Sequence, residues 1–411
     1  MYMYSGLSHL KCSKCNKVYS ANERQQTCQC GAPLLAQYDL DAIRTALSKE
    51  QIRTREASFW RYHELLPVTT PDNVVSLGEV MTPLVRLDGL GKEMGIPKLL
   101  VKNEGVLPSG TFKARGAAVG VAKAKELGVQ VLGIPTNGNA GAAWALYGAR
   151  AGISVSVVMP KYAPEPARKE TVFAGARLFT VDGTIADAGR LVTQAAQKYG
   201  WYEVSTLKEP YRLEGKKTMG IELAEQFGWS VPDVIVYPTG GGAGVIGIYK
   251  ALKELQEMTW IGPKLPRIVV VQVSGCAPLV KAFNAGKTVS EPWDDPHTVA
   301  VGMSVPKALG DFLILDAVAK TSGTVISVTD EELLREQSQI GIREGLHVCP
   351  EGAAAMAGAR KLREAGWIRE KETVVVFNTG SGLKYTYQQK NSGQPIDAGG
   401  SLPDMPVRVL K

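Results

Sequence analysis

Tyr237-Pro-Thr-Gly-Gly-Gly-Ala-Gly-Val245 is the stretch on which the fold turns. It follows a compact apolar run, Asp233 to Tyr237, and leads into a helical pattern from Gly244 to Leu255. Glycines between a strand and a helix let backbone N–H groups turn inward at the helix N-terminus, where they form a nest for an anion such as phosphate. The spacing is not Gly-x-x-x-x-Gly-Lys-Ser/Thr. Nor is it Gly-x-Gly-x-x-Gly with an acidic residue about 20 positions on, so nucleoside triphosphatases and dinucleotide folds are both disfavoured. Taken alone, the loop also reads as a tight structural turn.

The same strand–loop–helix unit recurs on either side. Leu99 to Lys102 is a short apolar strand, followed by a helix from Phe112 to about Leu127. Val129 to Pro135 is a strand, Asn139 to Ala151 a helix, and Ile153 to Pro160 another strand. Arg267 to Val273 and Thr373 to Phe377 are further buried strands. Compact apolar strands alternating with helices of 3.6-residue spacing predict an α/β protein with parallel sheets. Nearer the N-terminus, Tyr38 to Ile52 reads as a connecting helix, followed by Phe59 to Pro67 and a loop through Pro71-Asp72-Asn73. The tail from Asn391 to Lys411 lacks periodicity and reads as an extended arm.

A chain of 411 residues, 45% apolar and 21% charged, has room for two or three domains. Its net charge of +7 is spread along the length without a basic block, which argues against a nucleic-acid arm. No apolar run approaches the roughly 18–20 residues of a membrane span. Met1 to Leu10 carries no signal-peptide pattern, so a cytoplasmic location is expected. Four of the six cysteines fall early, as Cys12-Ser-Lys-Cys15 and Cys28-Gln-Cys30, while Cys276 and Cys349 are isolated. Two close pairs a dozen residues apart read as two knuckles around one structural Zn²⁺, with reduced thiols as the plainer reading.

Three more features carry chemistry. Lys113 lies in Pro108-Ser-Gly-Thr-Phe-Lys-Ala-Arg-Gly116, in the first turn of a helix, beside unpaired N–H groups and the positive end of the dipole. A lysine held there out of water has a lowered pKa and can form a Schiff base with an aldehyde. Thr136-Asn-Gly-Asn-Ala-Gly141 places Asn139 at a second strand-to-helix junction, as a cavity donor or as a helix cap. Phe377-Asn-Thr-Gly-Ser-Gly-Leu-Lys384 adds a hydroxyl after the last core strand. The glycine loop and these last two leave the carboxyl ends of strands, where open α/β sheets bind ligands. A Schiff-base lysine, a phosphate nest and two polar fingers describe a pyridoxal 5'-phosphate site.

In that order these motifs resemble the tryptophan-synthase-β-like, fold type II, pyridoxal phosphate enzymes. Longer stretches are similar to the threonine synthases: Ser76-Leu-Gly-Glu-Val-Met-Thr-Pro-Leu84, Ser205-Thr-Leu-Lys-Glu-Pro-Tyr-Arg-Leu-Glu-Gly-Lys-Lys-Thr218, Cys349-Pro-Glu-Gly-Ala-Ala354 and Asn378-Thr-Gly-Ser-Gly-Leu-Lys384. The resemblance runs from about residue 8 to 388, and some members also carry an N-terminal cysteine module. It implies two open, twisted, largely parallel sheets flanked by helices, plus a small zinc-ribbon-like module at 1–36. A large cofactor-binding domain would span 37–115 and 216–390, a small domain 116–215, and the arm 391–411. Lys113 would be the Schiff-base lysine and proton shuttle, and Asn139 would bond the cofactor's phenolic oxygen. Gly240, Gly241, Gly242, Ala243 and Gly244 would hold its phosphate, and Thr379 would face its ring nitrogen.

Arg212 with Ser205 or Thr206 would bind the phosphate of the substrate, and Thr136 would line its site; a surface ion pair with Glu214 is the plainer role for Arg212. Cys12, Cys15, Cys28 and Cys30 would be the metal ligands. None of the four histidines lies in these loops, so acid–base work falls to lysine. The implied activity converts O-phospho-L-homoserine and water to L-threonine and phosphate, in a homodimer without nucleic-acid or membrane partners. Ala140 and Ala114 depart from the family's usual Ser/Thr and Asp. They keep a serine/threonine ammonia-lyase or a cysteate synthase as the alternative, and a non-catalytic binding protein is the rival from another class.

Overall fold

The computed structural model describes residues 4–385, so the tail from Asn391 lies outside the described residues. Its main sheet has six strands in the order Thr324–Val328, Arg267–Val273, Val234–Pro238, Thr373–Asn378, Lys98–Asn103 and Leu84–Arg86. The first five run parallel, and Leu84–Arg86 closes one edge antiparallel. Parallel strands need cover on both faces, and their composition supplies it. Ile235, Val270, Val375 and Phe377 point to one core, while Val234, Val236, Val269, Val271, Val374 and Val376 point to another. The second face is closed by the Pro350–Glu364 helix, whose alanines and glycines let it lie close to the strands. A Cβ on Gly358 would come within 2.7 Å of Val271.

A second sheet is fully parallel, in the order Arg177–Val181, Ser154–Pro160, Val131–Pro135 and Tyr202–Glu203. The first and last of these strands are absent from the sequence reading. Near the N-terminus, Leu7–Cys12 pairs antiparallel with Val18–Tyr19 and Leu34–Tyr38. The stretch expected as one helix, Tyr38 to Ile52, is not one. Tyr38 ends a strand, and two short helices follow, Leu40–Ala46 and Lys49–Thr54. Ser48 breaks the pattern because it caps the second helix, accepting from Gln51 N while Gln51 caps it in return. Among the described residues, no helix is long and apolar enough to cross a membrane.

Two helices that matter for function cross at glycines. A Cβ on Gly215 would sit 2.0 Å from the Arg115 carbonyl oxygen, and one on Gly116 would sit 2.9 Å from that of Arg212. The Lys113–Glu126 and Arg212–Gln226 helices therefore touch backbone to backbone. Beneath the crossing is a fully buried, charge-balanced cluster. Arg115 bonds Glu104 at 2.6 Å and Glu222 at 2.9 Å, and Lys102 bonds Glu222 at 2.5 Å. Two cations meet two carboxylates, so the charges compensate locally.

Candidate active site

A cavity of about 530 Å³ opens at the carboxyl ends of the strands, between the two sheets. Its first wall is the loop after Val131–Pro135. Thr136 accepts from the N–H groups of Gly138 at 3.0 Å and Gly141 at 3.3 Å, so its hydroxyl oxygen shapes the turn as well as lining the cavity. Asn139 is not a cap. It is the first residue of the Asn139–Ala151 helix, and its amide donates to the Tyr385 hydroxyl at 2.9 Å. That hydroxyl donates in turn to Glu351 Oε1 at 3.0 Å.

The second wall is the glycine loop. Gly242 sits in the left-handed region at φ +76°, and Cβ atoms on Gly240 and Gly244 would meet Gly302 O at 2.6 Å and Tyr237 Oη at 2.1 Å. Only glycine fits at these places. The Ala243–Glu257 helix begins there with no side-chain cap, so its first N–H groups are left for an anion in the cavity. The third wall carries Thr379, whose carbonyl accepts from Phe112 N at 2.9 Å and thereby ties this loop to Lys113. The Thr379 hydroxyl lies 3.6 Å from Cys349 Sγ, a thiol that burial pushes up and keeps neutral.

Lys113 opens its helix and lines the cavity, its Nζ 4.4 Å above the Phe112 ring. Burial, with the Arg212 guanidinium nearby, brings its amine down to about 8. Arg212 does not pair with Glu214, whose partners are Lys217 at 2.8 Å and Lys250 at 2.9 Å. It lies only 4% exposed against the cavity, with Nη1 donating to Val204 O at 2.6 Å and Nε buried without a partner among the described residues. Burial lowers its guanidinium to about 10. Ser205 and Thr206 also line the cavity, but the Ser205 hydroxyl donates to Glu203 at 2.5 Å, which occupies its proton.

A family model described as pyridoxal-phosphate dependent enzyme matches residues 75–380. This chain belongs to that family. Threonine synthases from Methanocaldococcus jannaschii and Methanosarcina acetivorans are each 39% identical to it. Those matches cover 91% and 92% of this chain and 92% of each relative. The fold is shared with maize serine racemase, at a TM-score of 0.63 and 23% identity over 74% of this chain and 88% of that one. The cavity of this pyridoxal-phosphate-dependent enzyme fits the cofactor: an amine of lowered pKa, an uncapped glycine-lined helix N-terminus and a neutral hydroxyl converge on one space.

Lys216, Glu351 and Tyr385 are cavity residues with polar groups to which the sequence assigned no role. Lys216 follows Arg212 by one helical turn, a spacing that was visible in the quoted motif. Glu351 keeps one buried carboxylate oxygen unpartnered, while the other accepts from Gly302 N at 3.0 Å and from Tyr385. Tyr385 reaches the cavity only because the chain folds back after the last strand, and no local pattern marks it.

Away from the cavity, Cys12, Cys15, Cys28 and Cys30 gather with all four sulfurs within 4.8 Å of one another. Cys12 and Cys30, and likewise Cys15 and Cys28, stand 3.5 Å apart, close to the roughly 3.8 Å that tetrahedral thiolates on zinc require. The N–H groups of Lys14 and Cys15 both donate to Cys12 Sγ at 3.4 Å, which suits a thiolate. The module docks on the back of the cavity wall. Tyr211 donates to Ala21 O at 3.1 Å, Tyr202 to Gln25 O at 2.9 Å, and Gln26 to Glu203 O at 3.0 Å.

Proposed function

We propose that this enzyme converts O-phospho-L-homoserine and water to L-threonine and inorganic phosphate. The observation that carries the reading is Arg212, a buried guanidinium in the cavity wall with no carboxylate within ion-pair distance among the described residues, on a chain 39% identical to threonine synthases over most of its length. When bound, pyridoxal phosphate supplies an electron sink for the amino acid's Cα. The glycine loop from Gly240 to Gly244 would hold its phosphate, Asn139 its phenolic oxygen, and Thr379 its ring nitrogen.

The neutral Lys113 amine serves as general base, taking the Cα proton and then a Cβ proton. The Cγ–O bond breaks, and phosphate leaves toward Arg212 and Thr206. Water adds its oxygen at Cβ, Cγ gains the proton that makes it a methyl, and Lys113 returns the Cα proton. A hydroxyl at Thr379, unlike a carboxylate, need not protonate the ring, which favours elimination over transamination.

The four cysteines are proposed to bind a structural Zn²⁺, since four thiolates leave no open position for substrate. Family resemblance further supports a homodimer in the cytoplasm, and the division into a large and a small domain. The decisive assay measures phosphate and threonine formed from O-phospho-L-homoserine by wild type and Lys113→Ala, with O-phosphoserine and threonine as competing substrates. Equal amounts of the two products, abolished in the variant, are expected. Release of 2-oxobutanoate from threonine, with no turnover of the phosphorylated substrate, would assign the scaffold to an ammonia-lyase instead.

A further inference from the structure

The Arg212–Gln226 helix carries two adjacent lysines with opposite fates. Lys217 is fully buried and compensated, 2.8 Å from Glu214 and 2.7 Å from Glu254. Lys216 is just as buried, at 2% exposure, yet among the described residues no carboxylate lies within ion-pair distance of its Nζ. Its one hydrogen bond goes to the Phe112 carbonyl. Glu104, the acid whose charge acts on it, is committed to Arg115 at 2.6 Å. A buried amine without a counter-charge is costly to protonate, and proteins that keep one generally have a use for it.

Its position gives the use. One helical turn after Arg212, Lys216 falls on the same face of the helix and lines the same cavity. Its Nζ stands 4.0 Å over the Phe112 ring, the ring that Lys113 Nζ approaches at 4.4 Å. Arg212 and Lys216 thus converge on the space that Lys113 and Glu351 also line, while the compensated pairs lie elsewhere on the helix. Burial, together with the charges of Lys113 and Arg212, holds the Lys216 amine well below the usual lysine range. A dianion entering the cavity would supply the missing counter-charge.

We propose that Lys216 is a second phosphate ligand of the substrate site, acting with Arg212 to select a phosphate monoester over an unphosphorylated amino acid. This rests on the substrate reading above and deepens it. The test uses holoenzyme, comparing wild type with Lys216→Met and Lys216→Arg. Inhibition by inorganic phosphate and KM for O-phospho-L-homoserine are read together, with inorganic phosphate binding followed independently by calorimetry. Loss of one charge-assisted contact should weaken phosphate binding and raise KM by about 10- to 100-fold. In the methionine variant kcat should fall much less, and arginine should restore most of the affinity.

Unchanged phosphate affinity and KM in the methionine variant, with thermal stability retained, would overturn the proposal. So would weaker retention of pyridoxal phosphate alone, because that would assign the amine to the cofactor's phosphate. A purely structural role, holding the Phe112 carbonyl, predicts lower stability and kcat with phosphate affinity unmoved, and would overturn it as well. If wild type binds inorganic phosphate through Lys216 but does not turn over O-phospho-L-homoserine, the anion site stands and the substrate reading falls.

Discussion

Replacing Arg212 with methionine separates a binding role from a structural one. Of the guanidinium's donors, Nη1 is occupied by the Val204 carbonyl at 2.6 Å, and Nε is buried with no partner. Among the described residues Nη2 has none either, so the Nε–Nη2 edge can meet a phosphate with two parallel hydrogen bonds. Charge-assisted bonds contribute about 1.5–3 kcal/mol each, which puts the pair at about 3–6 kcal/mol and the loss in kcat/KM at about 10²- to 10⁴-fold. Stability should move the other way. Burial lowers the guanidinium to about 10 despite the attraction of Glu209, so a charge that burial disfavours is being removed, and methionine preserves the packing on Trp144, now 5.8 Å from Arg212 Cζ. The assay pairs steady-state kinetics on O-phospho-L-homoserine with urea unfolding of the same preparations. A loss below tenfold, or a stability drop of more than about 2 kcal/mol accompanying the kinetic defect, would refute the reasoning.

Lys113, at about 8, should react with the cofactor's aldehyde in apoprotein at a rate that rises tenfold per pH unit below 8 and levels above it. A lysine of ordinary value, about 10.4, would be under about 1% neutral at that pH and still climbing beyond it, so the position of the plateau decides the matter. Gly215→Ala would push a Cβ to 2.0 Å from the Arg115 carbonyl and force the two functional helices apart. A loss of about 1–3 kcal/mol or more by denaturant unfolding is expected, with reduced kcat, and an unchanged unfolding midpoint would contradict so close a crossing. Purified protein should carry a single zinc by elemental analysis. Cys28→Ser should lose it and raise KM more than it lowers kcat, because Ala21, Gln25 and Gln26 brace the Tyr202–Tyr211 wall; a metal-free variant with unaltered KM would sever that link.

Wherever a residue's role follows from its neighbours along the chain, the sequence alone determined it. The core strands were legible because a parallel sheet buried on both faces needs continuous apolar runs, and Arg267–Val273 and Asn139–Ala151 keep the bounds that their patterns implied. That the glycine loop, Lys113 and Thr379 lie at loops around one cavity follows from local junction chemistry. The edge strands Arg177–Val181 and Thr324–Val328 were not legible, since each is only half covered and mixes polar with apolar positions. Tyr38 to Ile52 misled because its helical composition outweighed the Ser48 cap and the pairing of Leu34–Tyr38 with a strand about 25 residues earlier.

Charge compensation was decided by tertiary structure alone. Helical spacing sets Lys216 on the face of Arg212, but nothing local says that this face lines a cavity while Glu214 pairs with Lys217 and Lys250. Those outcomes depend on which distant carboxylates the fold brings within a few ångströms, and on Gly116 and Gly215 letting two helices meet. Coulomb energies in a dry interior fall off over such distances, so the function of each cation is a property of the folded neighbourhood.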